Sequence, residues 1–318
     1  MTDTVLITGG LGYVGGRVVS TLADYSQYNL RITSQRDQRN LPGWLKKGSI
    51  IKFDICSEQN LDQLCQGVKY IIHFAALNEI DSAKDPQKAL LVNTLGTLKL
   101  LQAAERAGVE RFIYFSTAHI YGAPLVGTIS EQSVAKPVHP YAITHYAAEH
   151  FVLASNHYQK LQGIVLRLSN GIGSPTDPNV NRWTLISNDL CRQAVTAGKL
   201  TLRSSGMQQR DFITLHDVGK AVVHFLQLSP ILLEDGLFNL GGKTSMRVID
   251  LARHIADRCY TVLGFEPKIE YPEPQEGEVS KNLDYRINKL ESTGFTLSGN
   301  IDDEIDATLR LCQKAFGG

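Results

Sequence analysis

The run Val5-Leu6-Ile7-Thr8-Gly9-Gly10-Leu11-Gly12-Tyr13-Val14-Gly15 constrains the chain more than any other stretch. Its first residues are apolar or β-branched and read as a buried strand. The glycines at 9, 12 and 15 read as a tight turn into a helix that starts near Gly12 and carries Val14, Val18, Val19 and Leu22. Glycine permits positive φ and lets the backbone approach a bound group closely. A helix N-terminus offers unpaired N–H groups and a partial positive charge, which suit a pyrophosphate. A strand, glycine turn and helix in this order predict a dinucleotide site, with an ordinary strand–helix corner as the plain alternative.

Apolar runs then alternate with helical stretches through the first half of the chain. Strands are predicted at residues 30–34, 50–55, 70–76, 111–116 and 164–168. A helix capped by Ser57 is predicted to turn Leu61, Leu64 and Cys65 inward. A long helix is predicted over 89–107, with Leu91, Leu95, Leu98 and Leu101 marking its buried face, and another over 141–159. Strict alternation with continuous apolar strands implies a parallel sheet covered on both faces, a doubly wound α/β (Rossmann) fold. Such sheets bind ligands beyond the carboxyl ends of their strands. From Ser169 prolines and asparagines break the pattern. Helices are expected over 185–197, 216–228, 248–263, 286–290 and 301–316, with short strands at 200–203, 212–215 and 237–240. The expected organisation is a dinucleotide-binding domain over 1–168 and a smaller C-terminal α/β substrate lobe over 169–318, with 212–228 returning to the first.

Composition narrows the function. The 318 residues carry 32 Lys+Arg and 32 Asp+Glu, so no basic excess points to nucleic acid. No apolar run reaches the ~18–20 residues of a membrane span. The first residues already form the strand, so no signal peptide is expected. Five scattered cysteines fit reduced thiols of a cytoplasmic protein, and nine histidines show no metal-ligand spacing, so no metal is expected.

Further segments follow in order: Asp54-Ile55, His73-Phe74-Ala75-Ala76, Asn93-Thr94-Leu95-Gly96-Thr97, Phe115-Ser116-Thr117-Ala118-His119-Ile120-Tyr121-Gly122, Pro140-Tyr141, Arg167-Leu168-Ser169-Asn170, Arg210-Asp211-Phe212-Ile213 and Asn239-Leu240-Gly241-Gly242. With the glycine run they resemble the extended short-chain dehydrogenase/reductases, the nucleotide-sugar epimerase/dehydratase group, over nearly the whole chain. The resemblance implies that Gly9, Gly12, Tyr13, Val14 and Gly15 hold the cofactor, with Phe74, Ala75 and Ala76 beside it. It implies that Asp54 and Ile55 meet the adenine, and that Asn93 ties the sheet to the catalytic loop. It implies substrate contacts from Asn78, Asn170 and Arg210, the last on a phosphate, and a homodimer through the helices at 89–107 and 141–159. The end of the second strand, Thr33-Ser34-Gln35-Arg36, lacks the carboxylate that would take a ribose diol. Ser34 and Arg36, with Arg39, suit a 2′-phosphate, so NADP is slightly favoured over NAD.

The resemblance implies hydride transfer between a sugar carbon and a nicotinamide, with Thr117 and Tyr141 on the reacting oxygen. One departure stands out. The family pattern is Tyr-x-x-x-Lys, and this chain has His145 four residues after Tyr141. Residues i and i+4 share a helix face. Histidine titrates near ~6.5, so it holds little charge at neutral pH unless a partner such as Glu149 raises its pKa. The Tyr285-to-Lys289 spacing is read as coincidence. Ala118-His119 in place of acidic residues disfavours 4,6-dehydration, and Gln275 stands near the place of a second phosphate-binding arginine. These features imply a nucleotide-sugar epimerase, with a keto-sugar reductase as the alternative and a catalytically weak NAD(P)-binding sensor as a reading of another class.

Overall fold

The structure is a computed structural model that describes residues 2–35, 41–56 and 60–317. Seven parallel strands form the main sheet: β1 (Asp3–Thr8), β2 (Tyr28–Ser34), β3 (Ser49–Lys52), β4 (Tyr70–His73), β5 (Arg111–Thr117), β6 (Gln162–Leu168) and β7 (Leu237–Leu240). Their spatial order is β7-β6-β5-β4-β1-β2-β3. This is the doubly wound sheet that the strand–helix alternation predicts.

Successive side chains of a strand point to opposite faces. Val5, Ile7, Ile72, Ile113 and Leu166 enter one apolar layer, with Val18 and Leu22 of the Tyr13–Ala23 helix and Val218, Val222 and Phe225 of the Leu215–Gln227 helix. Leu6, Ile71, Phe112 and Val165 enter the other, with Leu100, Leu101, Ala148 and Val152. Both faces are covered, which explains why the strands read as unbroken apolar runs. Each such buried side chain contributes about 1.5–3 kcal/mol.

The order reverses between β1 and β4, and that reversal opens a crevice at the carboxyl edge. The Gly9 turn and the Phe74–Ala75 segment meet there. Gly9 has φ 68°, and a Cβ on it would lie 2.9 Å from the Ala75 nitrogen.

Three expectations are corrected. The 89–107 segment is not one regular helix: Pro86–Ala89 is α-helical, Leu90–Gly96 is a π-helical stretch, and Thr97–Arg106 is α-helical again. The wider π turn rotates the face presented to the sheet. Val92, Asn93, Gly96, Thr97, Leu100 and Leu101 point inward, whereas Leu91 and Leu95 are 53% and 39% exposed. Second, the helix carrying Leu61, Leu64 and Cys65 inward spans Leu61–Cys65 and starts after Asn60 at φ 72°. Ser57, its expected cap, lies outside the described residues. Third, the 212–228 segment is not alone in returning from the later lobe to the first. Leu237–Leu240 joins the main sheet beside β6, and the Leu215–Gln227 helix packs on the Tyr13–Ala23 helix. In the reverse direction, Gly127–Ile129 pairs with Leu283–Tyr285 in the smaller lobe.

That lobe has a separate core of Leu190, Cys191, Leu251, Ile255, Leu309 and Cys312, between the helices Ile186–Ala197, Val248–Leu263 and Ile301–Phe316. Its small sheet sets Gln209–Thr214 between Asn170–Ile172 and Ser245–Arg247. Arg17 locks the lobes together with a bidentate bond to Glu304, 2.6 and 2.8 Å. Among the described residues no helix is long and apolar enough to cross a membrane.

Candidate active site

The glycine turn is built for close approach. A Cβ on Gly15 would meet the Gly9 carbonyl oxygen at 2.3 Å, so the helix starts against the turn with no room for a side chain. Gly12 precedes the first helical turn, and no side chain caps it. The open N–H groups and the bare cradle fit a pyrophosphate. The Tyr13 side chain takes no part in that cradle. It is buried, and its hydroxyl donates to the Gly173 carbonyl at 2.8 Å, tying the turn to the smaller lobe. Val14 is half-buried on the apolar layer below.

Two further edges frame the crevice. Asp54, exposed after β3, accepts from the Cys56 N–H at 3.0 Å and from Gln35 Nε2 at 3.5 Å. Ile55 is buried beneath it, and a Cβ on Gly96 would touch its Cγ1 at 3.0 Å. Ser34 ends β2 in register with Lys52. Arg36 and Arg39 lie outside the described residues. After β4, Phe74 packs its ring 4.2 Å from that of Phe115, and Ala75 and Ala76 follow as small residues along the edge.

Asn93, fully buried, joins three segments. Its Oδ1 accepts from the Leu77 N–H at 2.7 Å, and its Nδ2 donates to the Thr144 hydroxyl at 3.0 Å. The loop after β4 is thereby fastened to the Pro140–His157 helix. That helix begins in the expected manner, with Pro140 in its first turn and the His139 ring accepting the Tyr141 N–H at 3.2 Å. It packs against β5 and the turn that follows, which brings Tyr141 and Thr117 to the same carboxyl edge. Thr117 is buried at the end of β5, where its Oγ1 accepts from the His119 N–H at 3.2 Å. Asn78 caps the Glu79–Lys84 helix, accepting from the Asp81 N–H at 2.9 Å. Asn170 donates to the Asp211 carbonyl at 2.9 Å. Arg210, half-buried on the neighbouring strand, has no carboxylate partner among the described residues.

The departure at 145 has a definite geometry. His145 is buried, its ring 4.1 Å from that of Tyr141, and its Nδ1 donates to the Tyr141 carbonyl at 2.9 Å. Burial lowers its pKa to about 4, partly opposed by that bond, so it is neutral at neutral pH. Glu149 does not pair with it, contrary to expectation. Glu149 faces Arg167 at 2.7 Å and takes the Ser116 hydroxyl, all three buried. Tyr141 is pushed up to about 12 by burial, with Arg182 drawing it down and Glu79 raising it. Tyr285 is buried behind the site, donating to the Arg167 carbonyl at 2.7 Å, while Lys289 pairs with Asp235 and Glu234. Their spacing builds no second site.

Acid stability follows from these imidazoles. His73, bonded to the Thr8 and Thr97 hydroxyls, is lowered to about 3 by burial. A base with a depressed folded pKa binds protons better when unfolded. Stability is therefore present above ~6.5 and is lost as pH falls toward the folded value. Urea unfolding is expected to show a loss of about 2 kcal/mol from His145 alone between pH 7.5 and 5.0. The His145→Gln variant should lose correspondingly less, and equal losses would show that folding does not shift the His145 pKa.

Sequence patterns did not reveal Glu79 and Arg182. Arg182 Nη1 donates to Glu79 Oε2 at 3.0 Å, and the two residues stand 103 apart in the chain. No periodicity links them: Glu79 opens a short helix after β4, and Arg182 lies in a loop of the smaller lobe.

Known proteins share this architecture. Residues 5–241 match the family described as the NAD dependent epimerase/dehydratase family. A putative UDP-glucose 4-epimerase of Methanocaldococcus jannaschii is 26% identical over 296 residues, 92% of each chain. A dTDP-D-glucose 4,6-dehydratase of Mus musculus is 32% identical over 262 residues, 79% of this chain and 71% of the other. Among solved structures, UDP-glucuronic acid 4-epimerase from Bacillus cereus in complex with NAD superposes with a TM-score of 0.82 at 21% identity, covering 98% of this chain and 97% of that one.

Proposed function

The chain belongs to the NAD dependent epimerase/dehydratase family, and from that premise we propose that it inverts a secondary alcohol of a nucleotide sugar by transient hydride transfer. The observation that carries this reading is the joint position of Thr117 and Tyr141 on the carboxyl edge, beside the crevice framed by Gly9 and Ala75. A nicotinamide held there would supply the hydride chemistry. The chain's own groups do the rest. Tyr141 takes the alcohol proton, and Thr117 donates a hydrogen bond to the reacting oxygen. Arg210 holds a phosphate of the substrate by a charge-assisted bond, and Asn78 and Asn170 line its path. Asp54 receives the adenine amino group.

The relatives include 4,6-dehydratases. Ala118 and His119, which follow Thr117, supply no carboxylate for elimination, which supports epimerisation instead. The test is product analysis by NMR after incubation with UDP- and dTDP-sugars and catalytic dinucleotide. An inverted sugar with no net cofactor turnover supports the proposal. Net conversion of the cofactor in place of inversion, reduction with the sugar alcohols or oxidation when a keto sugar is supplied, identifies the reductase, and tight binding without exchange identifies the sensor.

The finer choice of cofactor follows from β2. No carboxylate stands at Thr33, Ser34, Gln35 or Arg36 to bind a ribose diol, which supports NADP. Fluorescence titration is expected to give tighter binding of NADP than of NAD, with the order reversed in Ser34→Asp. Tighter NAD binding by the unaltered protein would defeat this preference.

Exposed Leu90, Leu91, Leu95, Ile143 and Phe151 lie on mutually packed helical segments and support a homodimer through that face. Five free cysteines, four of them buried, support a reducing, cytoplasmic setting.

A further inference from the structure

A dinucleotide that takes a hydride from a sugar and gives it back must stay bound until the hydride has returned. Whatever covers the crevice in that interval is part of the function. The segment 173–185 leads from the small sheet of the smaller lobe to the Ile186–Ala197 helix, and it touches both rims of the crevice. Its first residues lie on the Tyr13–Ala23 helix. The Tyr13 hydroxyl donates to the Gly173 carbonyl at 2.8 Å, and Arg17 Nη1 donates to the Ser174 carbonyl at 3.0 Å. Thr176 comes so close that a Cβ on Gly16 would meet its Oγ1 at 2.6 Å.

The far end reaches the opposite rim. Arg182 Nη1 donates to Glu79 Oε2 at 3.0 Å, and Glu79 opens the short helix just beyond the Phe74–Ala75 segment. Within its own lobe the Arg182 carbonyl accepts from Asn188 Nδ2 at 3.2 Å, so it is the side chain that makes the crossing. Between the two ends the backbone holds its own shape. The Val180 N–H donates to the Asp177 carbonyl at 3.1 Å, the Arg182 N–H to the Val180 carbonyl at 2.8 Å, and Trp183 Nε1 to the Pro178 carbonyl at 2.9 Å. Val180 and Leu185 pack on the apolar layer beneath. The glycine-helix end is anchored firmly, since Arg17 is also locked to Glu304. The Glu79 end is held by an ion pair whose side chains are 23% and 39% exposed.

We propose that residues 174–182 form a strap across the mouth of the crevice, hinged on the glycine helix and latched by the Arg182–Glu79 ion pair, and that the latch sets how long a dinucleotide is retained. A partly exposed ion pair adds little to the stability of the fold. It does set how often a strap with one firm end and one weak end lifts. The inference rests on a dinucleotide lying in this crevice, as the proposed function has it, and on nothing about the sugar.

The test has two arms, neither of which contains a sugar. In the first, the reduced dinucleotide is bound and its fluorescence is followed after mixing with excess oxidised dinucleotide. Glu79→Gln and Arg182→Gln are each expected to speed dissociation about fivefold, with the double variant no faster than either single one. Sodium chloride at about 0.5 M should speed release from the parent and leave the variants nearly unchanged, because screening acts on the pair they lack. In the second arm, hydrogen exchange is followed over residues 177–185 without dinucleotide, and Glu79→Gln is expected to quicken it. Unchanged dissociation in both variants, effects that multiply in the double variant, or unchanged exchange overturn the latch. Faster release in Arg182→Gln with Glu79→Gln silent would show that Arg182 bonds the dinucleotide directly, which overturns it as well. A failure to invert any sugar would defeat the epimerase reading alone, since both arms read the strap without turnover.

Discussion

Turnover of a nucleotide sugar is expected to fall by about 10²–10⁴-fold in the Tyr141→Phe variant, with KM and dinucleotide affinity little changed. The substitution removes one oxygen and almost nothing else. The ring stays against His145 at 4.1 Å, and the backbone N–H still reaches His139. The carbonyl still accepts from His145 Nδ1 and the Thr144 hydroxyl. Only the proton acceptor is lost, so the effect belongs in kcat. A Thr117→Val variant is less clean, because Thr117 also accepts the His119 N–H and shapes the turn after β5. Steady-state rates with direct cofactor-binding measurements decide the matter. A Tyr141→Phe protein that keeps its full rate would remove the proton acceptor from the scheme.

The second large effect concerns stability. Glu149→Ala is expected to cost about 3–5 kcal/mol, because it leaves the Arg167 guanidinium buried without its carboxylate. Glu149 is wholly buried and meets Arg167 through both oxygens, at 2.7 and 3.2 Å. Arg167 also donates to the Tyr121 hydroxyl at 2.9 Å, and that hydroxyl donates to Asn239 Oδ1 at 2.7 Å. The network ties β5, β6, β7 and the Pro140–His157 helix directly beneath Thr117. Urea unfolding measures the loss. The double replacement Glu149→Met with Arg167→Met is expected to be milder than Glu149→Ala alone, since no charge is then stranded. A single-variant loss below about 1 kcal/mol would show that water or another group reaches Arg167.

Much of the scaffold was legible without coordinates. The glycine spacing, the unbroken apolar strands and the alternation with helices are local patterns, and each reports burial on both sheet faces. The placement of Thr117 at a strand end and Tyr141 at a helix start was legible from the same patterns, while their proposed roles came from the resemblance. The exposure of Leu91 and Leu95 was not legible. An apolar count assumes a 3.6-residue period, and the π-helical stretch Leu90–Gly96 breaks it so that Asn93 and Thr97 reach their polar partners. The fate of Glu149 was hidden too, since i+4 spacing pointed to His145 while the carboxylate turned to a guanidinium from β6.

Order along the chain thus determined which segments become strands and helices and which residues carry hydroxyls at strand ends, because those depend on near neighbours. Three-dimensional packing alone decided which charges meet. His145 is neutral because it is buried, Glu149 belongs to Arg167, and Arg182 of the smaller lobe meets Glu79. Electrostatic energy depends on distance and desolvation, and neither is written in the spacing of residues.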